Sequence, residues 1–232
     1  MKKLVCAMMV LGLFGVAANA AQTLNYGWEN GGTILGSYGN LVNPANVTTG
    51  SDPGTNDQTP SHDPWLTVTP HGGSSMLEVT ESPHASTPQA YLAYIENLQE
   101  GDQVTASFYG WDSTPDVSPS LRIWGHYALN GDVNSYTASA GGNDTYTTGP
   151  DTGAWSLVDW TWTIPAATEA LVIEGRLYST PSTGENSTPY WIDDLSVTAP
   201  DGATISFPVI PEPTTLALLG LGVLAIAIRR RR

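Results

Sequence analysis

The chain has 232 residues, 22 of them acidic and only 8 basic, for a formal charge of −14, with 41% hydrophobic and 13% charged side chains. Eight Trp and ten Tyr allow a real core, which excludes wholesale disorder and fits one large β domain or two small ones. Between residues 22 and 207 only Arg122 and Arg176 face 21 acidic residues, a net charge of −19. Such a body repels phosphate backbones, so nucleic-acid binding is excluded.

The chain opens with Lys2 and Lys3, continues with an apolar run from Leu4 to Ala17, and reaches Ala18-Asn19-Ala20 before Ala21. This order reads residues 1–20 as a signal peptide, cut by signal peptidase so that the mature chain starts near Ala21 or Gln22. A retained anchor or a buried first helix is the other reading of the same run. The only cysteine, Cys6, lies inside this segment. The exported body is therefore expected to have no thiol, disulfide, Cys-ligated metal or cysteine nucleophile.

Residues 22–207 read as an all-β body. Clusters of Gly, Pro, Asn, Asp, Ser and Thr interrupt it at short intervals, and no dozen residues carry a helical apolar period. Strand signals fall at 24–28, 33–38, 75–80, 90–97, 103–111, 120–128, 135–139, 157–164, 171–179, 190–198 and 204–207. So many short strands predict a two-sheet antiparallel β-sandwich, the jelly roll being the commonest solution. Residues 42–69, rich in turn formers, are expected as a long functional loop or insertion.

Past residue 208 comes Val209-Ile210-Pro211-Glu212-Pro213, then an uncharged stretch over 214–228, then Arg229, Arg230, Arg231 and Arg232. An apolar helix over 214–228 stopped by arginines is a stop-transfer element, short for a full membrane span of about 20 residues. The order Pro-Glu-Pro, short apolar helix, Arg cluster over 209–232 resembles the PEP-CTERM sorting signal of Gram-negative bacteria. That resemblance implies transient anchoring in the inner membrane, processing by an exosortase, and delivery to the cell surface or the extracellular polysaccharide matrix. An ordinary C-terminal anchor is the alternative.

Within the body, Asn25-Tyr26-Gly27-Trp28-Glu29, the "IENLQEGD" of 95–102, the strands at 104–109 and 120–124, and the closing "YWIDDLSV" of 190–197 resemble, in order, strands of the galactose-binding-like jelly rolls that serve as carbohydrate-binding modules. Strand alternation puts Trp191, Asp193, Leu195 and Val197 on one face, expected to be the core face, with Asp193 driven inward. A buried carboxylate must be paired, hydrogen-bonded or metal-bound. The resemblance implies a structural Ca²⁺ held by Glu29 and Asp193 with backbone carbonyls; hydrogen bonding of Asp193 to backbone N–H groups is the alternative.

The same alternation supplies a binding face. Val104, Ala106 and Phe108 form an inward row that leaves Tyr109 and Trp111 outward; Arg122, Trp124 and His126 face outward on the next strand, and Glu174, Arg176 and Tyr178 on a later one. Aromatic rings stack on sugar C–H faces while Arg and Glu hydrogen-bond hydroxyls, so Tyr109, Trp111, Arg122, Trp124, Arg176 and Tyr178 are expected as a shallow glycan platform. The structural alternative is that the arginines pair with Glu174 or cover aromatic faces. Val158, Trp160, Trp162 and Ile164 are expected in the core. His62, His71, His84 and His126 lack metal-ligand spacing and read as surface histidines. No Gly-x-Ser-x-Gly, His-Glu-x-x-His or phosphate-cradling loop is present, and Asn46, Asn143 and Asn186 open glycosylation-like triplets that read as loops. These features together describe a non-enzymatic exported body that is structural or glycan-contacting. A carbohydrate-binding module with a specific ligand is the alternative, and a glycoside hydrolase or lyase the less favoured one.

Overall fold

Apolar and polar residues alternate at period two along most of the body, and each such run forms a strand with one face turned to a shared core. The computed structural model describes residues 20–51, 67–82, 87–112, 121–143, 155–177 and 188–208. The rest of the signal segment, the 209–232 tail with its expected 214–228 helix, Tyr178, His62, His84 and Asn186 lie outside the described residues. Among the described residues no helix is long and apolar enough to cross a membrane.

The strands are β1 (Ala21–Tyr26), β2 (Gly36–Tyr38), β3 (Leu41–Val47), β4 (Gly50–Ser51), β5 (Thr67–Val68), β6 (Met76–Glu81), β7 (Gln89–Glu96), β8 (Gln103–Asp112), β9 (Leu121–Ala128), β10 (Ala138–Gly142), β11 (Ser156–Thr163), β12 (Ala170–Leu177), β13 (Thr188–Pro200) and β14 (Thr204–Ser206). The first sheet runs β11-β8-β13-β6-β3, and β1 pairs with β13 beyond the end of β6. The second runs β10-β9-β12-β7-β14, and β2 shares the β7 edge with β14. Strands β4 and β5 form a small ribbon. All pairs are antiparallel, so the all-β, two-sheet sandwich of jelly-roll class expected from the sequence is the fold. Leu77, Phe108, Val158, Trp162, Tyr190 and Ile192 of the first sheet meet Leu92, Ile95, Ile123, Leu171 and Ile173 of the second in one buried core.

Three expectations are corrected. The segment 42–69 does not begin as a loop, because Leu41–Val47 is an edge strand paired with β6. A register shift between Val42 and Ala45 with Asn43 at φ 49° is a bulge that admits Pro44, which an unbroken ladder would not. Residues 52–66 lie outside the described ones. Trp160 has the parity of the core row, opposite Ala106, but β11 is an edge strand of the sheet and the ring is 38% exposed; Val158, Trp162 and Ile164 are buried as expected.

The third correction is at β13. Its register on β8 shifts between Asp193 and Ser196, and Asp194 has φ 49°. The extra residue inverts the alternation. Before the bulge Tyr190 and Ile192 face the core; after it Leu195, Val197 and Ala199 do. Trp191 and Asp193 therefore face away from the inter-sheet core, on the outer side of the first sheet.

Candidate functional site

The outer side of the first sheet is covered by its own chain. Trp191 is in register with Trp111 and packs with it, Val68, Met76 and Trp155 in a separate apolar cluster. Trp155 meets Trp111 edge-on at 5.7 Å, and Trp111 is only 8% exposed. The His71 ring stacks on Tyr109 at 3.5 Å between centroids. Tyr109 and Trp111 thus hold the 67–75 segment and Trp155 against the sheet.

Glu29 and Asp193 reach that same segment from two sides. Glu29 Oε1 accepts from the backbone N–H of Ser74 at 2.8 Å and of Ser75 at 2.9 Å, and Oε2 accepts from the Ser74 hydroxyl at 2.7 Å. Asp193 accepts from Gly72 N–H at 3.0 Å and from Asp194 N–H at 2.8 Å. Asp194 meets His71 Nδ1 at 2.6 Å. The three Ser74 and Ser75 donors hold the Glu29 carboxyl below its ordinary range. Burial pushes Asp193 up despite the backbone N–H donors that face it. Among the described residues no three His, Cys, Asp or Glu side chains gather to hold a metal, so a Ca²⁺ here needs backbone oxygens for most of its six to eight ligands.

On the outer side of the second sheet the residues form a grid, because directly opposed residues in an antiparallel pair share a face. Tyr38, Gln89, Arg176 and Arg122 lie in register across β2, β7, β12 and β9; Tyr91, Glu174 and Trp124 form the next row; Tyr94, Val172 and His126 the third. The third row is partly closed by an apolar cluster of Tyr94, Ala128, Ala170 and Val172 under Leu35 and Val133. The first two rows carry charge.

Glu174 and His126 are both fully buried. Glu174 Oε1 lies 2.5 Å from His126 Nδ1, and Oε2 accepts from Arg176 Nε at 3.0 Å and Nη2 at 2.9 Å. With its amide turned to donate to Glu174, Gln89 bridges Glu174 and Arg176. The Arg176 guanidinium lies 4.9 Å above the Trp124 ring, and Trp124 Nε1 donates to Ser139. His126 sits between Tyr91 and Tyr136, and its buried Nε2 has no hydrogen-bond partner among the described residues. Burial first, and then the Glu174 charge, push the Tyr91 phenol up. Tyr38 and Tyr136 are 62% and 64% exposed at the margins.

The six expected platform residues are therefore not one surface. Tyr109 and Trp111 belong to the first sheet and are covered, Arg122, Trp124 and Arg176 belong to the second, and Tyr178 lies outside the described residues. Pairing of an arginine with Glu174 and its placement over an aromatic face are both present. His126 is a buried group and not a surface histidine; its signal was its parity with Arg122 and Trp124 on β9. Gln89, Tyr38 and Tyr136 had no signal of their own.

Residues 209–232 match the PEP-CTERM protein-sorting motif. The chain carries a sorting tail. That tail marks an exported protein directed to the cell envelope or surface and implies processing by exosortase. No curated protein sequence matches the chain. Among solved structures the body is similar to carbohydrate-binding jelly rolls. These include the CBM22-1 xylan-binding domain of Paenibacillus barcinonensis Xyn10C (14% identity, TM-score 0.41, covering 79% of this chain and 97% of that one). The CBM22-1-CBM22-2 tandem of the same protein is another (13%, 0.44, 85% and 50%). TmCBM61 in complex with β-1,4-galactotriose is a third (15%, 0.36, 74% and 92%). Likenesses this distant do not carry a ligand or a site across.

Proposed function

We propose that the outer face of the second sheet contacts carbohydrate, and that the tail delivers this non-catalytic body to the surface or extracellular polysaccharide matrix of a Gram-negative bacterium. The observation that carries the reading is the buried Gln89–Glu174–His126–Arg176 network beside Trp124. Charged groups are costly to bury on the outside of a sheet, and here they are held rigid between exposed tyrosines, with one ring nitrogen unused among the described residues. Aromatic faces beside rigid polar groups suit the alternating C–H and hydroxyl surfaces of a sugar chain. We expect the body to be retarded by at least one polysaccharide in affinity electrophoresis, and Trp124→Ala to weaken that retention on the order of tenfold. Retention unchanged in a folded Trp124→Ala variant would remove this face from the reading.

One observation favours a second reading, a matrix scaffold without a glycan ligand: Arg176 already covers the Trp124 face and is itself paired. An absence of retention on every polysaccharide would support it.

A structural Ca²⁺ at Glu29 and Asp193 is proposed as a reinforcement of the clasp on the 67–75 segment. In EDTA, Asp193 keeps its proton above the ordinary 3.8 in the folded state. The folded chain then binds more protons than the unfolded one, and stability falls as pH rises through that window. Asp193→Asn lacks this loss, so its melting temperature should gain on the wild type as pH rises above the ordinary carboxylate range. Added Ca²⁺ should raise melting of the wild type and not of the variant; an indifferent wild type would leave the N–H donors as the whole clasp.

A further inference from the structure

The body ends in a docked position. Beyond β14, the Phe207 ring stacks on Tyr26 with centroids 5.3 Å apart and planes 10° from parallel. Pro208 is buried, and its carbonyl accepts from the Tyr26 hydroxyl. A Cβ on Gly32 would overlap that carbonyl, so only glycine lets residue 208 seat there. The seat is itself fixed: Trp28 packs edge-on against Tyr26 at 5.0 Å, Trp28 Nε1 donates to the Thr33 carbonyl at 2.8 Å, and Asn46 Nδ2 donates to the carbonyls of Trp28 and Gly32.

The sorting motif begins at the next residue, Val209. From Pro208 to Pro211 the chain can span only about 10 Å. Enzymes that act on peptide segments commonly take them as extended strands, with several residues ordered on the enzyme. A chain seated through residue 208 leaves two residues before Pro211, too few to fill such a groove without the body colliding with its rim.

Resting on the sorting role given under Proposed function, we propose that the Tyr26–Phe207–Pro208 contact is a latch that restrains processing of the tail. At this native spacing the membrane peptidase acts on chains whose last body residues have left the latch, and the Tyr26–Gly32 end of the sandwich is the part of the body that meets it.

The test follows full-length chain by pulse-chase in a bacterium that carries an exosortase. Three forms are compared with wild type: six Gly-Ser residues inserted between Pro208 and Val209, Tyr26→Phe, and Thr23→Ala as a control on β1 away from the latch. The insertion leaves every body contact in place and should shorten the precursor lifetime on the order of tenfold, the scale of one hydrogen bond and one ring stack. Tyr26→Phe should shorten it a few-fold, and Thr23→Ala should not. An insertion form processed at the wild-type rate would overturn the latch while leaving the sorting role intact. Failure of every form to be processed would overturn the sorting role and the latch with it.

Discussion

Glu174→Ala is expected to lower the stability of the body by about 3–5 kcal/mol, the range for breaking a buried ion pair by removing one partner. Glu174 is fully buried, accepts from Arg176 Nε and Nη2, and is the partner of His126 Nδ1. Its loss leaves a nearly buried guanidinium with the Gln89 oxygen as its remaining acceptor in the network, and a buried imidazole whose Nδ1 has lost its partner. Total stabilities of about 5–15 kcal/mol are usual, so the change should take a large share of the whole and shift melting by about 10 °C. Glu174→Gln keeps the shape and one acceptor oxygen and should cost clearly less. Thermal or urea melting of the three forms checks this, and a Glu174→Ala loss below about 1 kcal/mol would mean that the network is in effect solvent-exposed.

Trp191→Ala should cost about 3–5 kcal/mol, as for other large aromatic truncations in packed sites. The indole is fully buried between Val68, Met76 and Trp111, and its Nε1 donates to Glu78 at 2.8 Å. A Cβ on Gly50 would overlap the ring, so the Gly50 backbone lies directly on it. The location of the damage separates this position from a residue of the inter-sheet core. Because the bulge at Asp194 turns Trp191 to the outside of the first sheet, hydrogen exchange in Trp191→Ala should speed most at Val68 and Gly72. Amides of Leu92 and Ile123 should follow only the global loss. Uniform acceleration across both sheets would contradict that placement.

Period-two alternation made the strands legible, because one face of each is buried. It also placed Arg122, Trp124, Glu174 and Arg176 on outward faces. What alternation does not contain is sheet membership. Tyr109 and Trp124 lie on strands that follow one another in the chain, yet β8 and β9 belong to opposite sheets, and an expected single platform divided into two surfaces. The pairing of His126 with Glu174 spans 48 positions in sequence and arises only once β9 and β12 are neighbours. The inversion at β13 had a local signal, two adjacent aspartates, of which Asp194 takes the left-handed backbone that short polar residues tolerate. A bulge is a backbone event, and an alternation argument carried across it reverses every face beyond. At β3 the turn-forming Asn43 and Pro44 marked a bulge within a strand and not the end of one.

The proposed contact of the second sheet's outer face with carbohydrate can be read residue by residue. The most direct measurement is a hydrogen-exchange footprint of the body with and without whichever polysaccharide retains it. Added protection is expected on β9 and β12 around Trp124, His126, Glu174 and Arg176, with β8 at Tyr109 and Trp111 unchanged. Protection confined to β8 and the 67–75 segment would contradict it and move the contact to the first sheet.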